Sequence, residues 1–94
     1  MNPYKDSSNI RVFSKDVDPM DLIWHTDLED RLVEVVDGVG WKLQFDNELP
    51  FELKQGDRIF IKEGTIHRVL KGTTDLKIIF LIFFLFYLLD FYAF

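Results

Sequence analysis

The sequence predicts an all-β domain built as a sandwich or barrel. Short apolar stretches recur along the chain, and turn signals containing Gly, Asp or Asn separate them at close, regular spacing. The clearest stretch, residues 41–45, alternates apolar with polar side chains, which is the pattern of a strand with one buried and one wet face. Before the last residues of the chain, glycine and Asp-Gly breaks recur too often for a helix of ordinary length.

The elements follow one another in a simple order. Residues 1–9 are polar and contain Pro3, and we expect an N-terminal arm that is either mobile or laid along a neighbouring molecule. Two short apolar pieces come next, residues 10–13 and 22–24, and the Asp and Pro residues between them predict a turn joining two strands. Further strands are predicted at 31–36, 41–45, 51–53, 59–61, 66–70 and from 76 onward.

Composition limits the class of protein. A chain of 94 residues suits one domain, and a barrel closed on itself is an economical way to build a core at that size. There is no cysteine, so neither disulfides nor thiolate metal sites contribute. The net charge of -5 and the scattered Lys and Arg residues argue against a nucleic-acid partner. The first residues lack a signal-peptide pattern, and a cytoplasmic location is expected.

Two stretches, each with one of the two histidines of the chain, carry the most specific pattern. In residues 56–69 a Gly-Asp turn and a short apolar strand lead to a second Gly turn and then His67; in residues 24–38, His25 opens an acidic stretch that closes on Gly38. Together these stretches resemble the two motifs of the cupin superfamily, in particular the small single-domain type-2 barrel, over about residues 10–79. The resemblance implies a double-stranded β-helix, or jelly-roll barrel, covering residues 10–80.

The resemblance also implies a metal site. It makes His25 and His67 metal ligands, and it puts Asp27 where the family has a second histidine and Arg31 where it has a glutamate. Two histidines and one carboxylate suit a divalent ion such as Fe, Zn, Ni or Mn, and this is the set that non-heme iron sites use. The predicted metal ligands are therefore His25, Asp27 and His67, and no organic cofactor is expected.

Arg31 supports a second hypothesis. Residues 25, 27, 29 and 31 would share one side of an extended segment. A guanidinium does not ligate a metal, and its charge beside a cation costs Coulomb energy, so Arg31 could pair with Asp27 or Glu29 instead. The barrel would then be a metal-free binding or sensing module whose Arg31 holds an anionic small molecule.

These observations predict a small cupin-domain protein that binds a divalent metal and a small organic ligand or substrate in the barrel. Arg31, Trp41 and Phe60 are the candidate ligand contacts, although aromatic side chains in a small barrel also form core or dimer interface. Both an enzyme and a binding protein are compatible with such a site, because one fold hosts many chemistries.

The C-terminal end is unusually apolar. Residues 78–89 contain no polar side chain except that of Tyr87, and we expect residues 81–94 to be a tail outside the barrel. Spanning a bilayer takes about 20 apolar residues, so a full span is not expected. A strand shared with a dimer partner, a peripheral membrane anchor formed by residues 78–94 and a frameshifted end all stay open. Such a run favours association, so we expect a homodimer, or even a structural protein that is tail-anchored or forms oligomers.

Overall fold

The structure, a computed structural model, describes residues 2–82, with Leu81 and Ile82 described by their backbone alone. Within this range the chain forms β-strands and one short 3-10 helix, Pro19–Asp21, which confirms the predicted all-β class. The strands are β1 Tyr4–Ser7, β2 Ile10–Phe13, β3 Arg31–Asp37, β4 Lys42–Phe45, β5 Phe51–Glu52, β6 Arg58–Ile61, β7 His67–Leu70 and β8 Leu76–Ile82.

The strands form two antiparallel sheets. The larger has the order β1-β2-β8-β3-β6, and the smaller has the order β5-β4-β7. Strand β8 lies far along the chain from both of its neighbours, β2 and β3, so the larger sheet depends on long-range pairing. The register of β3 against β8 shifts between Val35 and Asp37, which marks a bulge or irregularity there. The inward side chains of both sheets meet in the core.

Two segments differ from the sequence-based expectation. Half of the predicted N-terminal arm is the edge strand β1, which pairs with β2 from Tyr4↔Phe13 to Ser7↔Ile10. The strand predicted at residues 22–24 is wrong, because a 3-10 turn precedes it and only Leu22 of the three residues is buried. Asp18 starts this turn by accepting a hydrogen bond from the amide of Met20 at 2.9 Å, a cap that favours helical over extended backbone.

The core explains the role of one predicted ligand contact. Trp41 is completely buried, and its indole Nε1 donates a hydrogen bond to the carbonyl oxygen of Thr74. Gly72 lies against it so closely that an added Cβ would overlap the Val39 carbonyl oxygen and the Trp41 ring. Trp41 is therefore a packing residue held by the loop before β8, and its proposed role in ligand contact is wrong.

Residues 83–94 lie outside the described part of the chain. The predictions made for the apolar tail, including a homodimer interface and peripheral membrane contact, fall mainly on these residues and stay predictions. Among residues 2–82 there is no helix of the length and apolar character needed to cross a membrane.

Candidate metal centre

A cavity of about 390 Å³ lies between the two sheets. Its walls are mainly apolar side chains that alternate inward along the strands, such as Val33, Leu43, Ile61 and Ile78. Its polar lining includes the two histidines, two carboxylates and two arginines, contributed by His25, His67, Asp21, Asp27, Arg11 and Arg31. An apolar cavity with a few convergent polar groups is the usual form of a small-molecule site.

The structure brings the three predicted metal ligands together at this cavity. One ligand atom from each of His25, Asp27 and His67 lies within 4.8 Å of the others. Nε2 of His67 is 3.4 Å from Oδ2 of Asp27, and Nε2 of His25 is 4.0 Å from Oδ1 of the same carboxylate. Asp27 and His67 are buried, whereas the His25 side chain is 43% exposed, so the cluster opens toward solvent on the His25 side.

Backbone pairing holds the two histidines side by side. His67 is the first residue of β7, and His25 forms an isolated antiparallel bridge with it. The amide of each donates to the carbonyl oxygen of the other at 3.0 Å. The ring centroids are 4.3 Å apart. Residues distant in sequence are thus held in register by the same reciprocal hydrogen bonds that join two strands.

The ring orientation of both histidines is set by their own backbone. Nδ1 of His25 lies 3.0 Å from the Ile23 carbonyl oxygen, and Nδ1 of His67 lies 2.7 Å from that of Thr65. A carbonyl oxygen only accepts, so each Nδ1 donates to it. The Asp27 carboxylate also only accepts, so a neutral ring could point the lone pair of Nε2 toward it with a cation between them. Burial lowers the pKa of His67, which favours the neutral imidazole that ligates metals.

Asp27 is placed by the turn between β6 and β7. The amide of Gly64 donates to the Asp27 carbonyl oxygen at 3.0 Å, and the amide of Glu63 donates to Oδ1 of Asp30 at 2.8 Å. Gly64 has φ +77°, a conformation that glycine adopts without steric cost, so the second glycine of the motif has a defined role. The turn before His67 therefore also anchors the segment that carries Asp27.

Arg31 makes both of the contacts that its position suggested. Its Nη2 is 2.8 Å from Oε1 of Glu29, and its Nη1 is 3.4 Å from Oδ1 of Asp27. Its Cζ lies 4.9 Å from the centre of the Phe80 ring. The Asp27 carboxylate is thus shared between the two imidazoles and one guanidinium.

Two residues depart from the predicted ligand contacts: Phe60 was predicted and does not line the cavity, and Arg11 was not predicted and does. Phe60 is half exposed and is not part of the cavity wall, because its neighbours Ile59 and Ile61 point inward and alternation turns Phe60 outward. Arg11 was missed, although it is buried and lines the cavity. Its position two residues before Phe13 on a short strand was the available signal, since both side chains then share the inner face.

The donor set and its spacing fit a divalent metal. Nitrogen and oxygen ligands lie about 2.0 to 2.2 Å from a zinc ion, so neighbouring donors in a tetrahedral site are about 3.3 to 3.6 Å apart. The His67 to Asp27 distance of 3.4 Å falls in this range, and the His25 to Asp27 distance of 4.0 Å is slightly longer. All three ligand atoms lie within 4.8 Å of one another, so the group His25, Asp27 and His67 could hold a metal ion.

Solved structures with a similar fold include iron-containing proteins. The chain resembles Fe(II)-HppE with the alternative substrate (S)-1-HPP, with TM-score 0.60 and 25% identity, over 79% of this chain and 40% of that one. It also resembles FeII HppE in complex with substrate form 1, with TM-score 0.60 and 19% identity, over 82% and 47%. Protein NMB1881 from Neisseria meningitidis matches with TM-score 0.53 and 13% identity, over 85% and 80%.

These likenesses support a cupin-like β-barrel fold, as the two motifs predicted. The chain spans less than half the length of the two HppE chains that it matches. No protein-family model matches the sequence, and no curated protein is significantly similar to it. The finer assignment to the small type-2 cupins therefore stays a prediction.

Proposed function

We propose that this protein binds a divalent metal ion through Nε2 of His25, Nε2 of His67 and the Asp27 carboxylate, and that it holds a small organic molecule in the adjoining cavity. The observation that carries the proposal is the shared orientation of the two imidazoles. Both use Nδ1 to donate to a carbonyl oxygen, and both turn Nε2 toward one carboxylate. Metal-binding histidines are oriented in this way in many proteins.

Iron(II) is the first candidate among Fe, Zn, Ni and Mn. Two histidines and one carboxylate form the set that non-heme iron enzymes use, and an ion so held keeps positions open for substrate or oxygen. Two of the similar structures contain Fe(II). The geometry of a site and the supply of metal, rather than raw affinity, decide which ion fills it. Zn, Ni and Mn are therefore tested beside Fe.

The chain's own residues would do the binding and positioning. A metal in this position supplies Lewis-acid chemistry or redox chemistry to a bound molecule. The apolar walls of the cavity exclude water from that molecule, and the carbonyl oxygens of Ile23 and Thr65 keep the imidazole rings oriented. The proposal covers the metal and the ligand site, and it names no reaction.

A metal-free binding module is the second candidate, and one contact favours it. Nη1 of Arg31 is 3.4 Å from Asp27 Oδ1, so the carboxylate already has a positive partner. In that case the Asp27–Arg31–Glu29 group would be a permanent salt-bridge network, with Arg31 binding an anionic ligand. The two candidates make opposite predictions about metal content.

The test is metal analysis by plasma mass spectrometry on protein purified without chelator or affinity-tag metal. We expect near-stoichiometric Fe, Zn, Ni or Mn in the wild type and loss of that metal in His67→Ala. Arg58→Ala is the matched control, because its ion pair with Glu34 is exposed and contributes little. The metal hypothesis fails if the wild type holds no metal and none of the four ions raises the melting temperature.

Replacing Arg31 separates the two candidates further. Arg31→Gln removes a positive charge beside Asp27, so in the metal-binding case we expect affinity for the ion to rise several-fold. In the metal-free case the same variant should lose ligand binding and gain no metal. Metal titration followed by calorimetry measures the first effect.

A further inference from the structure

Arg11 is a cationic residue that faces the cavity from β2. Its side chain is only 11% exposed, and its guanidinium carbon lies 3.6 Å from the centre of the Tyr4 ring and 4.8 Å from that of Phe80. All three side chains line the cavity. A positive group buried in an apolar wall is costly unless it has partners of opposite charge.

Arg31 reaches the same aromatic ring from another strand. Its guanidinium carbon is 4.9 Å from the Phe80 centroid, and Arg31 belongs to β3. Strand β8, which carries Phe80, lies between β2 and β3 in the sheet. Two guanidinium groups therefore lie at one ring on the inner face of the larger sheet, and each is paired with carboxylates, Arg11 with Asp6 and Arg31 with Glu29 and Asp27.

The carboxylate partner of Arg11 lies at the edge of the protein. Asp6 on β1 accepts hydrogen bonds from Nε at 2.8 Å and from Nη2 at 3.0 Å, and its side chain is 40% exposed. The hydrogen bond from Arg11 holds the pKa of Asp6 below its usual value. These two bonds do not involve Nη1 of Arg11. An exposed carboxylate on an edge strand is a partner that a ligand could supplement or replace.

We infer that Arg11 and Arg31 form an anion-binding subsite, so that the molecule held in the cavity is a small organic anion. The guanidinium fork matches the oxygens of a carboxylate or a phosphate, so an anionic ligand has the chemistry to share or replace the carboxylates that pair with these two arginines. The remaining walls are apolar, which favours a ligand with an anionic end and an apolar body. The inference rests on the proposed function for the cavity as ligand site, but it does not require the metal.

Nitrogen-15 NMR of the arginine Nε–Hε signals tests the subsite directly. Metal-free, chelator-treated protein would be titrated with formate, acetate and benzoate, and in parallel with formamide, acetamide and benzamide. The acids should shift the signals of both Arg11 and Arg31, and the matched amides should not. Benzoate should bind more tightly than formate, because its ring can contact the apolar wall. Equal responses to acids and amides, or no response to any acid, would overturn the inference.

Two variants, one at each residue of the Arg11–Asp6 ion pair, make the test more specific. Arg11→Gln should weaken benzoate binding about tenfold, as expected for loss of a charge-assisted hydrogen-bonded contact. Asp6→Asn should tighten it several-fold, because the competing carboxylate is gone while the side chain keeps its size. A purely structural role for Arg11 predicts no gain of anion affinity in Asp6→Asn, and that result would contradict the subsite even if Arg11→Gln failed to fold.

Failure of the metal proposal and failure of the anion subsite give different experimental results. His67→Ala should lose metal and keep benzoate binding, whereas Arg11→Gln should weaken benzoate binding about tenfold and keep metal. Metal content by mass spectrometry and benzoate affinity by calorimetry, measured on both variants, separate the two conclusions. Benzoate binding that disappears in His67→Ala and is unchanged in Arg11→Gln would show that the anion binds at the metal, and the Arg11 subsite would be wrong.

Discussion

The two halves of the candidate metal centre are built in different ways. His67 begins a regular strand and its side chain is 5% exposed, whereas His25 and Asp27 lie on an irregular segment and the His25 side chain is 43% exposed. The irregular half keeps its place through hydrogen bonds to the strand half and to the β6–β7 turn. The site therefore consists of His67, which belongs to a strand of the sheet, and of His25 and Asp27, which are held beside the sheet by hydrogen bonds.

Replacing each histidine with alanine tests this difference most strongly. Both variants should lose the metal, but only His67→Ala should destabilise the metal-free protein. Removing a buried, hydrogen-bonded ring costs about 1 to 3 kcal/mol, whereas truncating a surface side chain changes stability by about 0.5 kcal/mol or less. Urea unfolding of both metal-free variants beside the wild type measures the difference.

Equal losses of stability in His25→Ala and His67→Ala would contradict the difference between the two halves of the site. That result would mean that the irregular segment is as much a part of the cooperative fold as β7. Retention of metal by His25→Ala alone would instead leave Asp27 and His67 as the binding pair.

Asp30 tests the attachment of the irregular segment. Asp30→Ala removes the buried carboxylate that accepts a hydrogen bond from the Glu63 amide at 2.8 Å. A hydrogen bond to a charged group contributes about 1.5 to 3 kcal/mol, so we expect the free energy of unfolding to fall by up to that amount. Metal affinity should fall as well, because the same turn positions Asp27. Asp30→Asn is the control, since its amide oxygen can still accept this hydrogen bond. Thermal unfolding and metal titration of the pair measure both effects, and equal metal affinity in all three proteins would argue against the turn as an anchor.

Trp24 should give the smallest effect. Its ring lies 4.3 Å from the guanidinium carbon of Arg68 and is 40% exposed, and a cation–π contact at such a site contributes about 0.5 to 1 kcal/mol. Trp24→Leu should therefore lower stability by about that amount and leave metal content unchanged. A loss of metal in this variant would contradict this prediction and show that the Trp24–Arg68 contact also positions His25.

Much of the fold was predictable because it depends on local pattern. The period-two alternation at residues 41–45 and the glycine turns on either side of residues 58–61 predicted strands that the structure contains. The segment at residues 22–24 was misjudged, since three apolar residues in a row do not distinguish a strand from a loop with one buried side chain. The role of Trp41 was also missed, because a large aromatic side chain fits a core and a ligand pocket equally well.

The candidate site was predictable in part. His25, Asp27 and His67 were expected together from the motifs at residues 24–38 and 56–69, and the structure places their ligand atoms within 4.8 Å. Arg11 has no motif around it, and its position two residues before Phe13 indicated only the inner face; its approach to Phe80 could be seen only after β2 was paired with β8. Phe60 was expected inside and points outward, because inward or outward facing depends on strand register.

The sequence by itself determined the all-β class, the turn glycines and the pair of histidines, because these depend on backbone conformation and residue chemistry over a few neighbouring positions. Tertiary structure decided which side chains share the cavity, which nitrogen of each imidazole faces Asp27, and how one carboxylate is divided between the histidines and Arg31. Those features depend on distances between residues that only strand pairing and the β6–β7 turn bring together, so short-range pattern does not contain them.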